Sequence, residues 1–358
     1  MKESNNVKKI SFFIGTMRRG GAERVISKLA NFYSNKGWNV DIILLLSNEV
    51  NYVLNSNIRI IPMCSKDKSR MKQVPIWIKN IRNYIKSSNP EFIVSFVARI
   101  NIIVLFACIG LKRKIIISER NDPSADGRSF LVKLATYILY PLSDTIVFQT
   151  EYAKLMFPRS IQNKGKIIYN PIEVNINRCE SKQKKIVAVG RLESQKNHEM
   201  LINSFIQVHN RYPEYSLHIY GEGILMNSLK NQINSLNLED SVLLPGNASD
   251  VHNKILDSEI FVLSSNYEGL SNALLEAMMM GLPCISTECA GSTEIIKNEQ
   301  NGILVPIGDK EKLSEAMIKL IENKKLAEEI GKKAKETSKL FESDLVLKQW
   351  ENAIEGIN

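Results

Sequence analysis

Glu268 and Glu276 stand eight positions apart in Ser264-Ser265-Asn266-Tyr267-Glu268-Gly269-Leu270-Ser271-Asn272-Ala273-Leu274-Leu275-Glu276. The apolar run Ile260-Phe261-Val262-Leu263 before them reads as a buried strand, and 271–280, rich in Ala, Leu and Met, reads as the helix that follows. A strand that ends in a glycine-containing turn and opens a helix aims free backbone N–H groups at whatever lies over the strand end. Here those groups belong to Gly269, Leu270, Ser271 and Asn272, and they form an anion site. Glu268 then flanks the anion, while Glu276, about a turn and a half into the helix, faces a hydroxyl-rich part of the same ligand. An ionised carboxylate accepts hydrogen bonds from two vicinal hydroxyls, so a ligand with both a diphosphate and sugar rings suits the set. Two glutamates at this spacing are equally at home as solvated side chains, and a second segment narrows the choice.

That segment is Lys185-Ile186-Val187-Ala188-Val189-Gly190-Arg191-Leu192-Glu193-Ser194-Gln195-Lys196-Asn197. It begins as a short β-branched strand, bends or is closely approached at Gly190, and reaches a helix N-cap at Asn197. Arg191 and Lys196 therefore leave one loop at a strand's C-terminal end, where two cations can neutralise the charge that builds on a departing diphosphate without a bound metal. Taken alone, the same pattern also describes a surface salt-bridge pair.

Together the residues resemble a known family. Gly190-Arg191-Leu192, then Lys196-Asn197, then Ser265, Glu268-Gly269 and Glu276 are similar to family 4 of the retaining nucleotide-sugar glycosyltransferases, whose fold is GT-B. Gly20-Gly21-Ala22-Glu23-Arg24 and Tyr169-Asn170-Pro171 extend the likeness over the whole chain, and Ile116-Ile117-Ser118-Glu119-Arg120-Asn121-Asp122-Pro123 resembles the branch that builds bacterial exopolysaccharide, capsule and lipid-linked oligosaccharide. The resemblance implies that Arg191 and Lys196 hold the donor diphosphate, Glu276 the ribose hydroxyls and Glu268 the hydroxyls of the transferred sugar, with Gly20 and Gly21 approaching the donor phosphates from the other domain. Many relatives carry a histidine where this chain has Arg120. An arginine cannot serve as a general base at ordinary pH, so Arg120 is assigned to a phosphate or sugar oxygen beside Glu119, and the group that takes the acceptor proton stays open.

Weaker candidates complete the set. Gly221, in Tyr220-Gly221-Glu222-Gly223, and Asn247, after Leu244-Pro245-Gly246, either border the nucleotide or are plain turn and loop residues. Arg18, Arg19 and Arg99 lie near strand ends of the first half and are candidates for the acceptor's diphosphate.

Positioning these groups takes two layered domains. With 358 residues and 44% apolar content the chain is long enough for two cores. Strands are expected near 10–14, 40–46, 59–62, 92–96, 115–118 and 145–148, then near 186–189, 217–220, 242–244, 260–263, 284–286 and 302–305, each followed by a helix or loop. Strict alternation implies two doubly wound parallel sheets facing each other across a cleft, domain 1–171 for the acceptor and domain 172–340 for the nucleotide-sugar, with 341–358 folding back onto the first.

Charge separates the halves. Residues 1–170 hold 27 Lys and Arg against 11 Asp and Glu, a net +16, while the rest of the chain is net −7. A basic half of this kind suits nucleic acid or an anionic membrane. No recognition motif and no basic strand rich in aromatics is present, so nucleic acid is set aside and a membrane face bearing a lipid-linked diphosphate is preferred. In 65–89, cations including Lys66, Lys68, Lys79 and Lys86 alternate with Trp77, Ile78, Ile81 and Ile85. That pattern fits an interfacial helix, and equally a helix packed on the first sheet with a basic outer face; the two agree if only its first turns touch lipid headgroups. Five scattered cysteines, Cys64, Cys108, Cys179, Cys284 and Cys289, suit reduced thiols, and four dispersed histidines make no metal site. No secretory segment or membrane span is visible, so the expectation is a cytoplasmic protein, peripheral on the inner face of the membrane, without cofactor or metal. By the resemblance it moves a hexose or N-acetylhexosamine from a nucleoside-diphosphate sugar, with uridine the expected base, to a lipid-linked sugar. A sugar-nucleotide epimerase of the same fold and a non-catalytic partner of polysaccharide machinery are the alternatives.

Overall fold

The structure, a computed structural model, describes residues 7–18, 20–64, 70–120, 123, 127–176 and 181–356. Arg19, Lys66, Lys68, Asn121, Asp122 and Cys179 lie outside the described residues. The chain divides into two units, Met1–Pro171 with Ser343–Asn358, and Ile172–Glu342.

In the first unit β1 (Lys9–Ile14), β2 (Asn39–Leu44), β3 (Arg59–Pro62), β4 (Phe92–Phe96), β5 (Lys114–Glu119), β6 (Thr145–Phe148) and β7 (Gly165–Ile167) form one sheet in the order β3-β2-β1-β4-β5-β6-β7. Every pairing is parallel. Strands covered on both faces must be apolar throughout, and β4, Phe-Ile-Val-Ser-Phe, is buried at all five positions. Two apolar layers flank the sheet. One is built on Phe12, Ile26, Tyr33 and Phe96, the other on Phe13, Ile81, Val104 and Phe148. The helix Ser343–Glu355 completes the first layer: Trp350 is fully buried and stacks on Phe96 with ring centroids 5.5 Å apart. Lys8 pairs with Glu355 at 3.0 Å, tying the start of the described chain to its end.

The helix Arg70–Ser88 lies over the second layer. Trp77, Ile81 and Ile85, four residues apart, are all buried, and the Trp77 indole donates to the Met63 carbonyl at 3.0 Å. From Gln73 on the helix is packed as one reading of 65–89 expects, its apolar stripe turned inward and Lys79 and Lys86 facing out, while 65–69, where the other reading puts lipid contact, lie outside the described residues. Spacing defines which residues share a face, and the sheet was the available apolar partner. Edge strand β7 was not foreseen, because Gly-Lys-Ile carries neither an apolar run nor an alternation.

In the second unit β8 (Gln183–Val189), β9 (Ser216–Tyr220), β10 (Val242–Gly246), β11 (Ser258–Leu263), β12 (Cys284–Thr287) and β13 (Ile303–Val305) are ordered β10-β9-β8-β11-β12-β13, again all parallel. In each sheet the chain works outward in one direction, then returns to the middle and works outward in the other. The reversal falls between β1 and β4 in the first sheet and between β8 and β11 in the second. At such switch points the loops after two neighbouring strands splay to opposite faces, and ligands of open α/β sheets bind in the crevice they leave.

Candidate functional site

The loops after β8 and β11 carry the chemically suggestive residues of the second unit, and their strands are hydrogen-bonded neighbours. After Val189 the chain bends at Gly190, runs through the loop and caps the helix His198–Arg211 with Asn197, whose side chain accepts from the Met200 N–H at 3.3 Å. After Leu263 the loop 264–271 leads into the helix Asn272–Met279. Backbone and side chains stitch the two loops together. The Asn266 N–H donates to the Gln195 carbonyl at 2.8 Å, the Asn266 amide donates to the Ser194 carbonyl at 2.9 Å, and the Ser264 hydroxyl donates to the Lys196 carbonyl at 2.9 Å.

Within this frame the Lys196 ammonium meets the Glu268 carboxylate in a direct ion pair, both side chains mostly buried. The Ser265 hydroxyl donates to the same carboxylate at 3.1 Å. Arg191 sits on the exposed rim, 3.0 Å from Glu193, and donates to the Gln195 side chain at 3.2 Å; Gln195 in turn donates to the Tyr267 carbonyl at 3.1 Å. Lys196 and Glu268 are therefore brought together directly, and Arg191 joins them through Gln195.

The helix Asn272–Met279 starts at Ser271 without a side-chain cap, and the buried Ser271 hydroxyl has no partner among the described residues. The N–H groups of a helix's first turn, together with this hydroxyl, are the donors expected of an anion site. Leu270 and Ser271 are buried, Gly269 and Asn272 partly so. Glu276 lies further along the helix, 7% exposed, with Oε2 3.3 Å from Nε2 of His252. Sequence reading missed His252, because an isolated histidine in a short polar helix carries no signal. Replacing it, His252→Ala, is expected to weaken nucleoside-diphosphate binding about fivefold, the worth of one hydrogen bond that orients a carboxylate, as titration calorimetry would read.

Glycines explain how closely these loops pack. Gly221 has φ of +148°, and a Cβ there would sit 1.9 Å from the Gly190 carbonyl oxygen. The Gly190 N–H donates to the Tyr220 carbonyl at 2.9 Å, so the loop after β9 lies on the loop after β8. Gly221 thus has a packing role that its sequence pattern left open, and Asn247 is exposed just past β10. Gly291 was not foreseen at all. It opens the short helix Ala290–Ile295, and a Cβ on it would lie 1.6 Å from the Gly269 carbonyl oxygen. Thr287 and Cys289 donate to the Ser265 carbonyl at 2.6 and 3.2 Å, bracing the glutamate loop from that side.

Behind the cationic loop His198 is buried against the Gly190–Arg191 backbone, and neither ring nitrogen has a hydrogen-bond partner of normal geometry among the described residues. Burial first, and the Lys196 charge second, push its pKa from 6.5 down to about 4. Between those values the unfolded chain binds the extra proton, so stability is complete above 6.5 and falls as the pH drops toward 4. The loss attributable to this group is about 3 kcal/mol. Thermal midpoints across that range should fall less steeply for His198→Asn than for the unaltered protein.

In the first unit the loops after β1 and β4 flank the switch point. Gly20 caps the helix Gly21–Asn35, and the Tyr52 hydroxyl accepts from its N–H at 3.0 Å and donates to its carbonyl at 2.7 Å. Arg18 is exposed and pairs with Glu49, donating to Oε1 at 2.6 Å. Arg99 is exposed in the first turn of the helix Ala98–Cys108. Glu119 and Arg120, read from the sequence as acceptor ligands, are buried and have internal partners. Glu119 is 1% exposed, accepts from the Tyr140 hydroxyl at 2.7 Å and pairs with Arg128 at 2.8 Å. Arg120 is buried over the Phe96 ring and donates to the Asn170 side chain. Burial lowers its pKa to about 9, so it stays charged at neutral pH. Sequence supplies the residue type at a strand end, while the pleat decides which way it points.

The structure of Anabaena Alr3699/HepE in complex with UDP superposes on this chain with a TM-score of 0.83, at 17% identity, over 98% of this chain and 100% of that one. That likeness defines the class of fold, GT-B. Residues 171–337 match the model of the family "Glycosyl transferases group 1". An uncharacterized glycosyltransferase of Methanocaldococcus jannaschii, MJ1059, is 32% identical over 293 residues, 68% of this chain and 72% of that protein. The chain belongs to the group 1 glycosyl transferases. The N-acetylgalactosamine-N,N'-diacetylbacillosaminyl-diphospho-undecaprenol 4-alpha-N-acetylgalactosaminyltransferase of Campylobacter jejuni is similar to it along nearly its whole length, 28% identical over 94% of this chain and 96% of that protein.

Proposed function

We propose that this glycosyltransferase moves a hexose or N-acetylhexosamine, with retention at the reacting carbon, from a nucleoside-diphosphate sugar to a sugar on a lipid diphosphate during polysaccharide or oligosaccharide assembly. The observation that carries the reading is the Lys196–Glu268 pair, held where the β8 and β11 loops meet, next to the uncapped start of the helix Asn272–Met279. The diphosphate lies on that helix start and on Lys196 and Arg191. An ammonium has three N–H donors, so Lys196 can serve phosphate oxygens while it orients Glu268. Glu268 then accepts from hydroxyls of the transferred sugar, and Glu276, steadied by His252, from the ribose. As the bond to the sugar lengthens, charge grows on the departing phosphate, and the two cations stabilise it there more than in the ground state, without need of a metal.

The acceptor is assigned to the first unit through Arg18, Arg19, Arg99, Glu119 and Arg120, the last two held at the strand end by their internal partners. A lipid-linked acceptor is favoured by the substrate named for the Campylobacter relative and by the net charge of +14 on the residues of this unit. It implies work at the inner membrane face. Among the described residues no helix is long and apolar enough to cross a membrane.

Incubation with radiolabelled nucleotide-sugars and a bacterial lipid extract tests the reading. A labelled glycolipid is expected. An interconverted donor with no glycolipid would point to an epimerase, and an unchanged donor across the panel to a non-catalytic partner.

A further inference from the structure

The helix Phe130–Leu139 of the first unit, Phe-Leu-Val-Lys-Leu-Ala-Thr-Tyr-Ile-Leu, turns its large apolar side chains the wrong way for a helix in water. Phe130 is 77% exposed, Leu131 73% and Ile138 61%, and Leu134 and Tyr137 are more than two-fifths exposed. At about 100° per residue these five side chains occupy one continuous arc of about 120°, with the exposed Lys133 at its edge. Thr136 and Leu139 on the opposite side are buried, so the helix is already fixed to the unit by its other face. Leu142, in the turn that follows, and Phe106 and Ile109, late in the helix Ala98–Cys108 and just past it, are exposed as well. A contiguous apolar surface of this kind marks a contact with another body.

Charge indicates which body. From 127 to 143 the chain has no acidic residue and one exposed cation, Lys133, since Arg128 is buried in its pair with Glu119; Lys112 and Arg159 are exposed elsewhere in the same unit, and the residues of the whole unit are net +14. A second copy or an ordinary protein partner would place this cationic unit against its like or call for an acidic patch. An anionic bilayer meets both halves of the surface, acyl chains taking the apolar arc and headgroup phosphates Lys133 at its edge and the net positive charge of the unit. The helix is about 15 Å long, half the thickness of a bilayer core, so it lies in the interface and does not span it.

We propose that Phe130–Leu139 is the element that seats this protein on an anionic lipid surface, with Phe130, Leu131, Leu134, Tyr137 and Ile138 at the level of the acyl-headgroup boundary and Lys133 among the phosphates. This deepens the functional reading, on which it rests, by naming the surface that meets the membrane.

Sedimentation with phosphatidylcholine vesicles, with and without phosphatidylglycerol, tests it on the full chain. The unaltered protein should bind the anionic vesicles, less so in high salt. The triple variant Phe130→Ser/Leu131→Ser/Ile138→Ser should lose at least about tenfold in partition, since three apolar groups no longer enter the interface. Its thermal midpoint should be unchanged, because the altered side chains face outward. Leu131→Trp should show a blue shift of fluorescence on adding the same vesicles. Equal vesicle binding by the triple variant, failure of the unaltered protein to bind any vesicle, or a dimer that the triple variant dissociates without lipid binding would each overturn the proposal. Transfer to a short-chain, water-soluble lipid-diphosphate acceptor is the separate readout. It should be the same for both proteins, and its absence in both would sink the functional reading while leaving the vesicle result standing.

Discussion

Lys196→Ala is expected to lower turnover at least about a hundredfold, the usual cost of removing one preorganised group from the place where charge develops. Glu276→Ala, which removes the carboxylate proposed to hold the ribose, should match it. The lysine has a structural duty as well, since Glu268 is 8% exposed and its carboxylate is paired with that ammonium. Breaking a buried pair from one side leaves an uncompensated charge and costs about 3 kcal/mol or more. Stability loss alone would thus imitate a catalytic effect, and a matched melting curve separates them. At a temperature where Lys196→Ala is still folded, its turnover should remain at least about a hundredfold down. Near-normal turnover by the folded variant would mean that Lys196 acts only as a structural counterion.

Gly291→Ala is expected to be nearly as damaging, although the residue bears no functional group. Its added methyl would lie 1.6 Å from the Gly269 carbonyl oxygen, a backbone atom that no rotamer change can move. The two segments must part by more than an ångström, and one of them is the loop that carries Glu268 and starts the helix Asn272–Met279. Misplacing a catalytic loop by that amount costs about a hundredfold in rate. Donor affinity should fall with it, because the same shift misaims the N–H groups of the helix start. Steady-state kinetics with a matched melting curve would read both. Normal turnover would show that the loop does not depend on the contact.

Much of this site could be read in the chain because its loops sit at the ends of parallel strands, and such strands are apolar runs that stand out. Val187 to Val189 and Ile260 to Leu263 mark β8 and β11, and the polar residues that follow each run had to lie at one end of a shared sheet. Contacts between segments far apart in sequence were not legible. Gly291 matters only because another backbone lies against it, and His252 only because Glu276 does. Direction was also hidden. Arg120 occupies the expected strand end yet turns inward to Asn170, which gives Tyr169-Asn170-Pro171 a physical purpose that the motif alone did not state.

The two helices of the first unit show the same limit from the opposite side. In Arg70–Ser88 the periodic apolar stripe read equally as a membrane face or a packed one and is covered by the sheet, whereas Phe130–Leu139, apolar nearly all round, attracted no notice and is open on one side. Periodicity groups side chains by face but does not say which face finds a partner, because that depends on how much apolar surface the sheet has left to cover.

The most direct test of the account is the electron density of a nucleoside diphosphate bound to the crystalline protein. The diphosphate is expected against the Lys196 ammonium and the first-turn N–H groups of Asn272–Met279, with the ribose hydroxyls on Glu276. A nucleotide bound with its phosphates away from Lys196 and that helix start would contradict it.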